Sequence, residues 1–340
     1  MAEVPHRIWL ALALAAGLAL LALLPMLISA YTASLFITLF ANIALATAWA
    51  FFSGATRYIS LATAAFFGIG AYVVAVLHIY IPIWLALTAA TLAGFLVALV
   101  VGLSTLRLRG VYFVIFTFGL TELIRQIFIW TEINVNRTMS RYIFADISAT
   151  AIYELLFAIA VLTILGSWYV GRTRLGYALR AIGEDETVAR HTGINTTLVK
   201  VVIFASSASV MALVGAIMSL RHPYIDPEVA FNANWSFQVL IAALLGGPTR
   251  PWGPALGAIP LVLLSEYFSG TFPRHFGIAL GLCFVVIVYF LPGGITPLLE
   301  RTYHRWVAAR ALGTWPPAAP PFMASRLKAR LARLSALWRI

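Results

Sequence analysis

The side chains able to do chemistry in this 340-residue chain are few and occur in two settings. Four ionisable residues, Glu122, Arg125, Glu154 and Glu266, fall inside long apolar runs. A charge in such a run is expensive, so each is a candidate for an ion pair, a packing anchor or a solute path. Glu122 and Arg125 stand three residues apart, on one helix face, where they can neutralise each other as an intramembrane ion pair. Glu154 sits near a run end and reads as interfacial, while Glu266 has no sequence neighbour to pair with. The second setting is the hydrophilic stretch Arg172–Val199. Neither offers hydrolytic or metal chemistry. The two lysines, Lys200 and Lys328, follow Val199 and Leu327, so neither ends a Gly-Lys-Ser/Thr phosphate loop. No His-Glu-x-x-His or Gly-x-Ser-x-Gly motif occurs. Cys283, the one cysteine, lies in an apolar run and reads as a small packing residue. The six histidines lie near run ends without ligand spacing, so no metal site is expected.

The elements that position these residues follow from composition. Hydrophobic residues make up 62% of the chain and charged ones 10%, with a mean hydropathy of +0.93. Soluble domains are about 45–50% apolar and about 25% charged. The chain therefore reads as an all-α, polytopic membrane bundle, because so apolar a surface cannot be covered in water. The net charge of +11 is concentrated: the segment from Glu300 onward holds eight Lys/Arg and one acid. Following the last apolar run, that basic patch reads as a cytoplasmic tail facing membrane lipid, with no nucleic-acid role.

A spanning helix needs about 20 mostly apolar residues. Ten segments qualify, near 8–30, 33–52, 58–77, 82–104, 110–130, 149–171, 200–220, 232–246, 252–270 and 276–292. The expected count is about ten transmembrane helices, in a range of eight to ten. Segments 232–246 (short) and 58–77 (rich in Gly and Ala) are candidates for broken or re-entrant helices. Alternating the loops with both termini inside gathers most cations on one face, though Arg137, Arg141, Arg221 and Arg274 fall opposite. The expected division is a permease domain, 1–299, and a basic cytoplasmic tail, 300–340. In the tail, Leu327, Leu331, Leu334 and Trp338 recur at helical spacing, which predicts an amphipathic helix from Ala324 on the inner leaflet.

Within 172–199 the pattern predicts two short helices. Leu175, Ala178, Leu179 and Ile182 make an apolar stripe, and Gly183 can end the first helix. Asp185 is a plausible N-cap for a second helix over 186–192, with Glu186 in its first turn and Arg190 and His191 in its last. Asn195 can cap the next membrane helix. A short rigid helix on the cytoplasmic face suits a lever through which a partner applies force; the alternative is an ordinary solvated loop.

This segment resembles the cytoplasmic coupling loop of ABC importer permeases, with Ala189 and Gly193 at the pattern's last alanine and its glycine. The resemblance is closer to the branched-chain amino acid permease family, and within it to the longer of the two paired permeases. Ser60-Leu61 followed by Ala64 to Tyr72 is similar to the family's Ser-Leu-Gly-His-Ala-Ala-Phe-Phe-Gly-Ile-Gly-Ala-Tyr segment, with Ala62-Thr63 replacing Gly-His. Leu106 to Phe113, Glu122 to Arg125, Arg174 to Glu186, Leu245 to Gly247, Trp252 to Ala258 and Leu291 to Gly294 follow in order.

The resemblance implies a transport subunit of the inner membrane, without its own ATPase site, working with a second homologous permease, two ABC ATPase subunits and a periplasmic solute-binding protein. The chain itself would bind no cofactor, ATP being hydrolysed by the partner subunits. It implies ATPase coupling through Glu184, Asp185, Glu186, Ala189, Arg190 and Gly193. The candidate solute pathway is Ser60, Thr63, Phe66, Phe67, Gly68, Gly70 and Tyr72, where polar and small residues interrupt an apolar span. The cargo the resemblance implies is branched-chain or related amino acids, with urea, other amino acids and small carboxylates carried by relatives of the group. The rival reading is a stand-alone secondary transporter or channel for a small polar solute.

Overall fold

The computed structural model describes residues 21, 24–26, 28–106, 108, 110–138, 140–144, 147–271, 276–290, 293–297 and 300. Most of the expected first span, 8–30, and the tail helix expected from Ala324 lie outside them. The chain divides into two units at 296/297, and the elements below belong to the first.

The long helices are α1 (Ala30–Thr56), α2 (Thr63–Leu77), α3 (Ile83–Thr105), α4 (Val111–Thr131) and α5 (Ala149–Val170). Two short ones follow, α6 (Arg174–Glu184) and α7 (Glu186–His191). Then come α8 (Thr196–Ser219), the single turn α9 (Pro227–Ala230), α10 (Ala233–Gly246), α11 (Gly253–Thr271) and α12 (Phe276–Phe290). A π-helical turn, Glu132–Asn136, prolongs α4. The only strands among the described residues, β1 (Arg141–Tyr142) and β2 (Tyr224–Ile225), pair antiparallel. Six helical stretches are long and apolar enough to cross a membrane: 30–56, 83–105, 111–136, 149–170, 196–219 and 227–246. The protein is thus an all-α, multi-pass membrane protein.

Burial separates centre from rim. In α1 and α8, 72% of the apolar window is buried, against 17% for the stretch 111–136. α8 packs on α1, α2 and α3. Its contact with α2 is backbone on backbone: a Cβ at Gly70 would strike the Ala212 carbonyl, and one at Gly215 the Phe67 carbonyl. Without a hydrophobic drive between helices in lipid, such close approach of small residues is what makes them associate. Gly253 and Gly257 likewise set α11 against the 242–247 backbone, whereas Gly277 and Gly281 have nothing within 4 Å among the described residues.

α2 is the interrupted element. Its 15 residues span about 22 Å at 1.5 Å per residue, short of a ~30 Å hydrocarbon core. Residues 57–62 before it are non-helical, and Ser60, Leu61 and Ala62 are buried. Exposed peptide groups cannot be left in such a place, so neighbouring side chains satisfy them. Trp49 Nε1 donates to the Ser60 carbonyl at 2.7 Å. The Leu61 N–H donates to Thr117 Oγ1 at 3.0 Å, and its carbonyl accepts from Thr121 Oγ1 at 3.2 Å and Ser236 Oγ at 2.8 Å. The Ala64 N–H donates to the same Ser236 oxygen at 2.9 Å. The sequence marks 58–77 as a candidate for a broken span; the structure places the break at 57–62, and α1, α4 and α10 supply the bonds that repair it.

At the far end from α6 and α7, Arg221 reaches back from α8 to Ser34 Oγ at 2.7 Å and Thr38 Oγ1 at 3.3 Å on α1. Glu266, without a partner in sequence, accepts from the Tyr31 hydroxyl at 3.2 Å.

Two outcomes test this packing. Gly70→Leu should cost about 3 kcal/mol or more, because the obstacle is backbone, while Gly119→Leu, with nothing within 4 Å, should leave the midpoint of thermal unfolding in detergent unchanged. Ser236→Ala removes one partner from two buried backbone groups and should destabilise by about 1–3 kcal/mol, read as a lowered midpoint in the same assay.

Candidate functional site

The candidate coupling site is built from α6 and α7. α6 buries Gly176, Leu179 and Ile182 and leaves Arg174, Leu175 and Arg180 exposed. The expected stripe is therefore narrower than the sequence pattern, with Leu175 outside it. A Cβ at Gly183 would strike the Ala55 carbonyl, so α6 lies directly on the end of α1.

The chain then turns at Asp185, whose Oδ1 accepts from the Thr187 and Val188 N–H groups at 2.7 and 3.1 Å, the cap expected from sequence. α7 runs from Glu186 to His191, one residue shorter than expected. Gly193 closes it with φ +84, a conformation that side chains resist. Asn195 caps α8, accepting from the Leu198 N–H at 3.1 Å.

What holds α7 in place is a buried charge. Glu186, of which 8% is exposed, lies beneath the helix with Ala189. Its Oε1 pairs with Lys200 Nζ at 2.9 Å and with Arg190 NH2 at 3.1 Å, and accepts from Thr196 Oγ1 at 3.3 Å. Its Oε2 accepts from the Tyr58 hydroxyl at 2.7 Å. Lys200, 2% exposed, also donates to the Leu106 carbonyl at 2.9 Å and to the Tyr58 oxygen at 3.3 Å, and its ammonium lies 4.7 Å from the Tyr58 ring centre. The carboxylate joins α7 to α8 and the 57–62 segment, and Lys200 extends the network to the end of α3. Ion pairs this deep hold only when both charges are fully hydrogen-bonded. Thr187, Val188 and His191 are exposed on the other side of α7, and Arg190 is exposed as well although its guanidinium bonds Glu186 and Thr196. Glu184 and Asp185 are exposed as well.

Lys200 and Tyr58 are the members that the sequence reading missed. Tyr58 is distant in sequence, and Lys200 lies across a turn from Glu186, outside any helical spacing. The only available signal was the presence of a lysine within an apolar helix.

Beside α6 opens a cavity of about 250 Å3 lined by Gly54, Arg57, Arg180, Gly183, Glu184 and Arg250, among others. Loop 246–251 at its rim is held by Gly246 and Leu245, whose carbonyls accept from Thr296 Oγ1 and the Ile295 N–H. The separated stretches 245–247 and 293–294 therefore meet in space.

Ser60, Thr63, Phe66, Phe67, Gly68, Gly70 and Tyr72 are brought together, all buried in the chain's own interior. The Phe67 ring stacks on Trp235 at 4.8 Å, and Tyr72 packs with Phe128 and Phe231. Ser60 and Phe66 touch a void of about 10 Å3, too small for a solute. Glu122 and Arg125 form the expected pair, two-pronged at 2.5 and 3.0 Å, and Gln126 Nε2 adds a hydrogen bond to Glu122 at 2.9 Å. Among the described residues no three of His, Cys, Asp and Glu come together to hold a metal ion.

Residues 31–291 match the family described as branched-chain amino acid transport system, permease component. The chain is 27% identical over 278 residues to the high-affinity branched-chain amino acid transport system permease protein LivM of Salmonella typhimurium, covering 72% of this chain and 65% of that protein. It is 28% identical over 153 residues to the permease protein LivH of Escherichia coli K12, covering 44% of this chain and 48% of that protein. A xylose transport system permease protein, XylH of Haemophilus influenzae, is 30% identical over 149 residues, 40% of each chain. The chain spans about 65% of the length of the LivM relatives it matches. No solved structure matches it. With 31–291 taking in every helix from α1 to α12 and the buried anchor beneath α7, the chain belongs to the branched-chain amino acid transport permease family.

Proposed function

We propose that this chain is the transmembrane permease subunit of an ABC importer of the inner membrane, carrying branched-chain or related amino acids. It pairs with a second homologous permease, receives solute from a periplasmic binding protein and is driven by two separate ATPase subunits, with no ATPase site of its own. The observation that carries this reading is α7: a six-residue helix with one face locked by Glu186 to α8 and the 57–62 segment and the other, Thr187, Val188 and His191, turned outward. A lever has to be stiff where it joins the load and free where it meets the motor. Glu184, Asp185 and the cavity beside α6 extend the docking surface, and Gly193 sets its far edge.

The end of the bundle carrying α6 and α7 is the cytoplasmic side in this reading. α1 ends there, α4 starts there, α5 ends there and α8 starts there, as the contacts of Gly183, Tyr58 and Leu106 require. Adding the expected first span, about ten helices then run with both termini inside. The broken segment 60–72 serves as the inner wall of the path and reaches solute only when the bundle opens. Binding of ATP by the partners shifts the permease pair between outward- and inward-facing states, because the closed ATPase dimer fits only one spacing of the two coupling helices.

Ala189 is 1% exposed, so Ala189→Asp disrupts the site itself, and Gly193→Asp strains the turn. Val188, 58% exposed, is the clean probe. Val188→Asp should abolish co-purification with the ATPase subunits and solute-stimulated ATP hydrolysis while leaving the thermal midpoint unchanged. Full ATPase binding by that variant, or transport without any ATPase, contradicts the reading and returns the stand-alone transporter.

A further inference from the structure

The stretch 111–136 is the least buried of the six apolar spans, yet it carries an ion pair near its middle. The Glu122 side chain is 49% exposed and that of Arg125 27%. Gln126 is exposed one turn on, and Gly119 one turn back has nothing within 4 Å. Facing hydrocarbon, such a pair would be costly, and charges in spanning helices face a partner or water instead. What surrounds it argues for water. The next residue, Thr121, bonds the broken segment at Leu61, and Phe118 lies against Phe237 of α10, ring centres 6.1 Å apart. Towards the end away from α7, the same helix enters a cavity of about 290 Å3 lined by Glu132, Asp226 and Glu228 with Ile129, Ile133 and Pro227.

We propose that this face of α4 lines the solute path, with that cavity as its outer mouth, and that Glu122 and Arg125 bind a zwitterionic amino acid. The inference rests on the permease reading above. The ligand's ammonium takes Glu122 and its carboxylate takes the planar fork of Arg125, so each charge leaves one partner only as it gains another. No charge is stripped bare in transit. A ligand with one charge leaves the opposite side chain unpaired, which selects against simple carboxylates, amines, urea and sugars.

Labelling of the assembled transporter tests this. Cys283→Ala removes the one native cysteine. On that background, Gly119→Cys and Gln126→Cys should react with a charged, membrane-impermeant thiol reagent, and leucine should slow the reaction at least tenfold while propionate does not. Leu96→Cys and Leu162→Cys, on the exposed apolar faces of α3 and α5, should stay inert. Cysteines at 119 and 126 as inert as these controls, or labelling indifferent to leucine, overturn the proposal. The doubly neutral Glu122→Gln/Arg125→Gln should bind the ATPases normally yet lose at least tenfold in leucine transport. Transport restored to the wild-type rate by that pair marks a merely structural bridge and also overturns it. Failure of the unmodified chain to bind ATPases counts against the permease reading instead.

Discussion

A lysine ammonium and a glutamate carboxylate withdrawn from water cost several kcal/mol each unless their hydrogen bonds are replaced. Lys200 and Glu186 replace them fully, with each other and with Tyr58, Leu106, Thr196 and Arg190. The rest of the candidate coupling site depends on that constraint. The partners come from different elements, so the bonds are all made only when α7, α8, the 57–62 segment and the end of α3 are in register. Removing either charge takes a charged, hydrogen-bonded partner from the other, and a displacement of α7 pulls on everything the carboxylate touches. A buried pair adds little net stability, but it fixes one arrangement, which is what a force-bearing joint needs.

The same rule governs the broken segment before α2. Peptide groups outside a helix are tolerated there only because Trp49, Thr117, Thr121 and Ser236 bond them. Tyr58 and Leu61 lie three residues apart and belong to the two networks. α7 and the polar repair of α2 are therefore joined through one short stretch of chain. α7 is linked to Leu61 through the Glu186–Tyr58 hydrogen bond and three residues of chain, and on to α4 through the hydrogen bond of Leu61 with Thr121, which adjoins Glu122.

Local signals were legible in the sequence and long-range ones were not. Asp185 and Asn195 were readable as caps because capping is a short-range bond between a side chain and the next turn. The Glu122–Arg125 pair was readable from helical spacing. The class of protein was readable from composition alone. The break before α2 was only suspected from Gly and Ala, because the residues that satisfy it sit on three other helices. The Lys200 role was invisible for the same reason, since no periodicity links positions 58, 106, 186 and 200. The candidate pathway residues within 60–72 stand out in the sequence as polar and small interruptions, but their burial in one chain is set by α8 and α10, which no local pattern reports.

The central claim is that Glu186 and Lys200 act as one joint carrying force between ATPase and membrane helices. A double-mutant cycle in solute-stimulated ATP hydrolysis measures this most directly, using Glu186→Gln, Lys200→Met and both together in the reconstituted importer. The account predicts that each single change costs at least tenfold and that the double variant costs no more than the worse single one, because both remove the same joint. Losses that multiply independently, or single variants that keep full coupling, would contradict it.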